Sequence, residues 1–315
     1  MSSLICGSIA YDTIMSFEGR FREQILPDQL HILNVAFLVP QMRREFGGCA
    51  GNIAYNLKLL GGDPIIMATV GGDSGNYFDQ LNRYGISAEF IKELPEAFTA
   101  QAMITTDRDN NQITAFHPGA MSDSHLNLVS DVVRAKSSSL KIAIVAPDGR
   151  QGMTDHAKQL ADAHIPFIFD PGQGLPMFDG PELKEFIELA SYVAVNDYEA
   201  EMLSQRTGLS LTQIAQRVKA LIVTKGAQGA EIYSSQSHFL IPAVTVTSPV
   251  DPTGCGDALR AGLLFGIENG LDWETTGRLG SLMGAIKISS QGPQNHQPNL
   301  SEIHLQFKDA FGYDF

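Results

Sequence analysis

The chain has 315 residues, of which 43% are hydrophobic and 18% charged, and its formal net charge is -13 at pH 7. This length can bury a large core, and the composition is ordinary for a globular protein. The negative charge argues against nucleic acid or an anionic membrane as a partner, because both would repel it. No apolar run reaches membrane-spanning length and no signal segment precedes the first predicted strand, so we expect a cytoplasmic protein.

The first predicted element is a buried strand at residues 4–10, a short apolar run broken by small residues. Asp12 follows it, at the carboxyl end of the strand. Ligands bind at that edge of open parallel sheets, so Asp12 is a candidate acceptor for substrate hydroxyl groups. A turn aspartate that caps a loop is an equally good interpretation of this residue alone.

Residues 13–45 depart from the strand–helix alternation of the rest of the chain. They include a Pro27–Asp28 turn and an apolar stretch at 31–39, which has strand composition but no helix after it. A hairpin predicted at 100–106 and 112–116 would complete a small sheet with this stretch. We therefore predict one domain with an inserted lid, formed by about 13–45 and 98–117. Its apolar edges would be exposed to solvent unless the same element of a second chain buried them, which favours a homodimer through the lid.

Two places near the predicted lid are candidates for substrate contact. Gly47 and Gly48 precede a predicted helix at 53–60, and they would let a ligand lie against the backbone. Asn52 can both donate to and accept from a pair of sugar hydroxyls. Phe116 is a candidate aromatic wall for a base or a sugar. The alternatives are close helix packing for the glycines and core packing for Phe116.

The rest of the chain alternates between strands and helices. Strands are predicted at 64–70, 141–146, 165–170, 192–196 and 220–225, and helices at 74–83, 151–163, 181–189 and 197–219, the last with a break at Gly208. A second hairpin at 230–241 and helices at 255–269, 272–288 and from about 300 complete the chain. This pattern predicts a doubly wound, mostly parallel α/β sheet flanked by helices.

Two strand ends in this half are candidate nucleotide contacts. Asn196 precedes Glu199 in the first turn of a helix, where a carboxylate could hold magnesium through its water shell; a helix cap explains Asn196 equally well. Thr224, Gly226 and Gly229 form a strand followed by a Gly-rich loop on which a nucleotide could rest. This loop is not a Walker loop, because the chain contains no GxxxxGK[ST].

The segment Asp251-Pro-Thr-Gly-Cys-Gly-Asp257 opens the helix predicted at 255–269. Amides of Gly254, Cys255 and Gly256 at a helix N-terminus can bind a phosphate, and Asp257 beside them is a candidate base for an attacking hydroxyl. The alternative is a helix cap next to a tight turn. Helix N-termini also lower the pKa of thiols, which makes Cys255 a candidate redox site.

Three segments in one order resemble the ribokinase-like family of sugar and nucleoside kinases: Gly47-Gly-Cys-Ala-Gly-Asn52, Asn196-Asp-Tyr-Glu199 and Asp251-Pro-Thr-Gly-Cys-Gly-Asp257. The likeness extends from Leu4 to about Pro298. Within that family the chain looks most like bacterial adenosine kinases, on stretches such as Gly7-Ser-Ile-Ala-Tyr-Asp12 and Phe116-His-Pro-Gly-Ala-Met-Ser122.

The resemblance implies transfer of phosphate from ATP to the 5′-hydroxyl of adenosine, giving AMP for purine salvage. Asp257 would be the base, and the amides of residues 254–257 the anion hole. The remaining roles implied are ribose binding by Ser8, Asp12, Gly47, Gly48 and Asn52; ATP binding by Asn196, Thr224, Gly226, Gly229 and Gly256; Mg²⁺ at Glu199; and K⁺ at Asp251, Thr253 and Gly292. The alternatives are a ribose or other sugar kinase, and a nucleoside sensor that has lost catalysis.

Overall fold

The computed structural model describes residues 1–25, 31–32, 34–109, 111–234 and 237–315. In this part of the chain thirteen strands form two sheets. In chain order the strands are β1 (Ser2–Cys6), β2 (Ala10–Ser16), β3 (Gln41–Gly47), β4 (Pro64–Gly71), β5 (Ser87–Leu94), β6 (Ala100–Thr106), β7 (Gln112–His117), β8 (Leu140–Val145), β9 (Phe167–Phe169), β10 (Tyr192–Asn196), β11 (Ala220–Thr224), β12 (Ala230–Ser234) and β13 (His238–Ile241).

The large sheet has nine strands in the order β13-β12-β11-β10-β9-β8-β1-β4-β5. All neighbouring strands are parallel except at one edge, where β12 runs antiparallel to both β11 and β13. Every residue of β1 and β4 is buried. Strands covered by helices on both faces have continuous apolar sequences, which is why the sequence predicted the bounds of β4 and β10 to within one residue.

Helices pack on both faces of the large sheet. The α-helices among the described residues are α1 (Phe21–Gln24), α2 (Cys49–Leu59), α3 (Gly75–Arg83), α4 (Val129–Lys136), α5 (Arg150–Asp162), α6 (Gly180–Leu189), α7 (Asp197–Thr207), α8 (Leu211–Ala215), α9 (Cys255–Glu268), α10 (Trp273–Ile288) and α11 (Leu300–Phe311). One face of the sheet packs against α4 to α8. The other packs against α2, α3 and α9, with Ile53 and Leu263 in one cluster with Ile5.

The four-stranded sheet has the order β3-β2-β6-β7. Strand β2 is antiparallel to β3 and parallel to β6, and the β6–β7 hairpin is antiparallel, as predicted. The chain enters this sheet directly from β1 through residues 7–9. The doubly wound α/β architecture with a small second sheet is thus confirmed; whether the second sheet acts as a lid remains a prediction.

The first predicted strand, 4–10, was wrong in its extent. β1 ends at Cys6, and β2 begins at Ala10 in the other sheet. Between them the chain turns away from the large sheet at Gly7 and Ser8, whose amides bond to Met67 and Pro147 carbonyls. Asp12 therefore lies within β2 and not at the carboxyl end of the first strand.

The strand predicted at 31–39 was also wrong. Residues 34–40 form neither strand nor helix, and the strand that pairs with β2 is β3, which begins after Pro40. Proline lacks the N–H that a ladder needs, so the pairing starts beyond it. The apolar character of the stretch is explained in part by Phe37, whose ring packs against Phe17 and Phe21. The predicted Pro27–Asp28 turn lies outside the described residues.

Candidate active site

Asp257 lies in the first turn of α9, and the turn before it depends on glycine. Gly254 is the N-cap, with a φ of 81°. A Cβ at this position would lie 2.7 Å from the Cβ of Pro293, so both the conformation and the space require glycine. The first-turn amides of a helix lack partners within the helix and carry its positive dipole end. The Cys255 amide donates to the Pro252 carbonyl at 3.1 Å, so the amides of Gly254, Gly256 and Asp257 are the candidates for holding an anion beside the Asp257 carboxylate.

The Asp257 carboxylate accepts a hydrogen bond from Asn52 Nδ2 at 2.8 Å. Asn52 lies in the first turn of α2, so the N-terminal ends of α2 and α9 meet at this contact. Burial raises the pKa of Asp257 to about 6, although the Asn52 hydrogen bond opposes that rise. A carboxylate with a pKa near neutrality suits a base that must accept a proton and release it again.

A buried hydrogen-bond network holds Asn52 in place. Gln294 Nε2 donates to Asn52 Oδ1 at 3.0 Å and to the Tyr77 hydroxyl at 2.9 Å. The Tyr77 hydroxyl in turn donates to the Gly47 carbonyl at 2.7 Å. Asn52, Tyr77 and Gln294 are each at most 4% exposed. Three distant segments thus fix the orientation of the Asn52 amide that contacts Asp257.

Asp12 faces the same region from the second sheet. In the sheet register it stands between Glu45 of β3 and Ala102 of β6, and Ala102 stands opposite Phe116 of β7. Directly paired residues project from the same face of a sheet, so Phe116 is on the face that carries Asp12. Burial, then the charges of Asp251 and Glu45, raise the pKa of Asp12 to about 6.

Gly47, Gly48 and Ser8 lie where the chain passes between the two sheets. A Cβ on Gly47 would lie 2.7 Å from Asp12 Oδ2. Gly48 is the N-cap of α2 with a φ of 85°, and its backbone approaches Ile9 and Ala10 too closely for a side chain. The Ser8 hydroxyl accepts a hydrogen bond from the Cys49 amide at 3.1 Å, so it serves the start of α2.

The predicted nucleotide residues gather at the carboxyl ends of β10 and β11. Asn196 and Thr224 are directly paired there. Gly226, with a φ of 54°, and Gly229 follow in the next loop. At Gly229 a side chain would collide with the carbonyl of Ile241. Packing against Ile241 therefore requires glycine at position 229, and the backbone at Gly226 and Gly229 carries no side chain.

Asn196 and Glu199 form a reciprocal capping box at the start of α7. Glu199 Oε2 accepts from the Asn196 amide and Oε1 from Asn196 Nδ2, both at 2.8 Å. Each oxygen retains a lone pair that can accept from water. Among the described residues no cluster of three or more His, Cys, Asp or Glu could hold a metal ion. This donor set fits Mg²⁺ bound through its water shell and a phosphate, and not through several protein ligands.

The same regions of the chain are matched by known proteins. Residues 20–300 match the family model described as pfkB family carbohydrate kinase. A nucleoside kinase of Methanocaldococcus jannaschii is 31% identical over 96% of this chain and 96% of its own length. The chain belongs to the pfkB family of carbohydrate kinases, and its fold is ribokinase-like.

Solved structures agree with this assignment. A nucleoside kinase of Burkholderia thailandensis, solved in complex with inosine, is 58% identical, superposes with a TM-score of 0.88 and is covered over 99% of both chains. The M. jannaschii nucleoside kinase, described as an archaeal member of the ribokinase family, superposes with a TM-score of 0.86 at 29% identity, covering 98% of this chain and 99% of its own. In this pfkB-family chain, no helix among the described residues is long and apolar enough to cross a membrane.

Two predicted features of this pfkB-family site fit the structure poorly. Burial raises the pKa of Cys255 to about 11, which works against the thiolate that a redox site needs. The predicted K⁺ residues do lie together: Asp251 accepts from the amides of Thr253 and Gly292, at 2.9 and 2.8 Å. However, Lys287 Nζ donates to the Asp251 carbonyl at 2.6 Å. A side-chain ammonium therefore already lies against Asp251, one of the predicted K⁺ residues.

Four residues at the site were not predicted from the sequence: Tyr77, Gln294, Lys287 and Arg260. Arg260 makes a bidentate ion pair with Asp170 inside the protein, at 3.0 and 3.1 Å, one turn of α9 beyond Asp257. An arginine within an apolar helical run is a usable signal of a buried ion pair. Tyr77 and Gln294 carry no such local signal, since their partners are more than 200 residues apart or lie in another element.

Proposed function

We propose that this protein is an ATP-dependent nucleoside kinase that phosphorylates the 5′-hydroxyl of a purine nucleoside, and specifically adenosine to give AMP. The observation that carries the proposal is the Asn52–Asp257 hydrogen bond of 2.8 Å, which joins a sugar-binding candidate to the candidate base. The similarity to nucleoside kinases, one of them solved with inosine, supports a nucleoside as the acceptor.

In the proposed reaction Asp257 accepts the proton of the 5′-hydroxyl. The hydroxyl oxygen attacks the γ-phosphorus of ATP, the bond from that phosphorus to the β–γ bridging oxygen breaks, and ADP leaves. Amides at the start of α9 stabilise the charge on the moving phosphoryl group. Bound Mg²⁺ would neutralise phosphate charge, with Glu199 accepting from its water shell. Asn196, Thr224, Gly226 and Gly229 would border the nucleotide.

The nucleoside would bridge the two sheets. Asp12 and Asn52 are suited to the ribose hydroxyls, because one only accepts and the other also donates. Gly47 and Gly48 leave the backbone open to the sugar. Phe116 lies on the face of the second sheet that carries Asp12, so a base attached to that ribose could pack against its ring.

A coupled ADP-release assay with adenosine, inosine, ribose and fructose 6-phosphate tests this proposal. We expect the highest kcat/KM with adenosine, measurable turnover with inosine, and little with the two sugars, which lack a base to contact Phe116. A preference for inosine would retain the nucleoside kinase and replace the adenosine assignment. A preference for ribose or fructose 6-phosphate would replace both.

A sugar kinase is the second candidate, because Asp12, Gly48 and Asn52 would contact only the furanose ring and would not recognise the group attached to it. A sensor without catalysis is the third. The pKa of Asp257, raised to about 6 by burial, argues against the sensor, since binding alone needs no such base. Absence of turnover with all four acceptors, together with binding of adenosine, would favour it.

We also propose that the protein forms a homodimer through the second sheet. Met42, Met103 and Ile113 lie on the face opposite Asp12, and they are 70%, 44% and 43% exposed. Three large apolar side chains on one sheet face are typical of a surface that a partner covers. A second copy of the chain presents the same apolar face, so the two faces can bury each other across a two-fold axis.

A further inference from the structure

Two main-chain carbonyl groups converge on one point behind the anion-binding turn. The Asp251 carbonyl lies just before the turn that opens α9, and the Ser290 carbonyl lies just after the end of α10. Lys287 Nζ occupies the point between them, donating to Asp251 O at 2.6 Å and to Ser290 O at 3.0 Å. Converging carbonyl oxygens are the ligands with which proteins hold hard cations, and here the cation is part of the chain.

The ammonium group is held as a structural ion would be. Lys287 is fully buried, and lysines are almost never fully buried unless they are paired. Burial lowers the pKa of Lys287, but the nearby groups Asp251, Cys255 and Glu45 oppose that fall. The two carbonyl hydrogen bonds also favour the charged form, because an ammonium only donates.

Lys287 acts on the turn through the backbone of Asp251. Both oxygens of the Asp251 side chain are taken by backbone amides on either side of the site, those of Thr253 and Gly292. The adjacent Ile288 carbonyl accepts from the amides of Val250 and Asp251, at 2.8 and 3.2 Å. The last turn of α10 is thereby fastened to the segment that leads into α9. The positive charge also acts on Cys255, the first residue of α9.

We propose that the Lys287 ammonium is a built-in replacement for a monovalent cation, so that this kinase works without K⁺. Lys287 is a positioning residue: it touches neither acceptor nor phosphate, and it orders the 251–254 turn while adding positive charge behind it. This inference rests on the proposed kinase function for its activity readout. It does not rest on that function for its stability readout.

The first experiment compares the wild-type protein in KCl, NaCl and choline chloride at equal ionic strength. We expect kcat and KM to agree across the three salts within about twofold, and the melting temperature to be the same in KCl and choline chloride. Saturable activation by K⁺, or a K⁺-specific rise in melting temperature, would overturn the proposal. The melting series gives its result even if no nucleoside is phosphorylated, so failure of the proposed function would be seen separately.

The second experiment changes the lysine. Lys287→Met keeps most of the volume and removes the charge, and we expect kcat to fall about 10²-fold in every salt. Lys287→Ala also vacates the space, and we expect K⁺ or NH₄⁺ to restore part of its kcat while choline does not. A purely structural lysine would give no ion-specific rescue. Lys184→Met, on an exposed part of α6, is the matched control and should behave as wild type.

Full activity of Lys287→Met in choline chloride would overturn the proposal, because activity would then not depend on the charge of the Lys287 ammonium group. If Lys287→Ala folds and neither K⁺ nor NH₄⁺ raises its kcat or its melting temperature, the replacement of an ion is also overturned. Should both variants fail to fold, the wild-type salt series decides alone.

Discussion

At the scale of single residues, the environment of Asp257 sets how the site responds to pH. Its carboxylate is partly buried at the start of α9, and this burial raises its pKa to about 6 while Asn52 partly offsets the effect. A base must be deprotonated to accept a proton. The deprotonated, active fraction of Asp257 therefore grows as the pH rises through about 6.

We expect kcat/KM to rise with pH through about 6 and to level off above about pH 7, and Asp257 alone would cause a roughly tenfold loss by pH 5. Asp12, whose pKa is also raised to about 6, would steepen the acidic limb because two protons would then have to leave. A pH–rate profile with adenosine measures both effects.

Asp257→Asn tests which carboxyl group causes the profile. Its kcat should be lower by about 10²–10⁴-fold, with adenosine binding largely kept. Asp309→Asn, an exposed position on α11, is the control. A near-normal kcat in the Asp257 variant would exclude it as the base, and an unchanged kcat/KM down to pH 5 in the wild type would contradict its raised pKa.

At the scale of elements, the site depends on how closely α2 approaches α3. Gly51 of α2 lies against the Tyr77 hydroxyl of α3, and a Cβ at Gly51 would collide with that oxygen. The same hydroxyl joins Gln294 to the Gly47 carbonyl. One tyrosine thus spaces two helices and orients the groups that hold Asn52.

We expect Gly51→Ala to lower the free energy of unfolding by about 1–3 kcal/mol in the wild-type background, because Tyr77 must move. In a Tyr77→Phe background the colliding oxygen is gone, so the same change should cost clearly less. Denaturant unfolding of the four proteins measures this coupling. Equal costs in the two backgrounds would show that Gly51 is not constrained by Tyr77.

The strands differ in how far the local sequence determines their bounds. Central strands such as β4 and β10 are buried on both faces and were predicted almost residue by residue, because their apolar runs reflect a local rule. The break between β1 and β2 was missed because residues 4–10 form one continuous run of apolar and small residues. Only the pairing of β1 and β2 with distant strands shows that they belong to different sheets. β3 was missed because most of its residues are polar and give a weaker apolar signal than the preceding stretch, which packs instead through Phe37.

The site residues also divide into those with a local sequence signal and those that depend on long-range contacts. Gly254 and Asp257 could be found from the sequence because a turn before a helix has a local composition. Tyr77 and Gln294 could not, because each acts through hydrogen bonds that exist only after distant segments have met. Lys287 ends a helix, where a basic residue is ordinary, so nothing in its neighbourhood predicted a buried ammonium.

At the scale of the whole molecule, the exposed face of the second sheet bears on assembly. We expect sedimentation equilibrium to give a dimer for the wild type and a monomer for Met103→Glu, because a charge at the centre of the apolar face cannot be paired across a two-fold axis with its own copy. Leu305→Glu, at an exposed apolar position on α11, should remain dimeric. A monomeric wild type would contradict the proposed dimer.

The whole molecule also separates its two carboxylates, since Asp12 belongs to one sheet and Asp257 to a helix packed on the other. Each sheet has its own hydrogen-bonded ladder, so neither carboxylate fixes the distance to the other. A nucleoside whose ribose is bound by both Asp12 and Asn52 would link the second sheet to the large sheet and its helices. Part of its binding energy would then be spent on aligning the reacting oxygen, and an acceptor lacking ribose hydroxyls would lose speed of transfer as well as affinity.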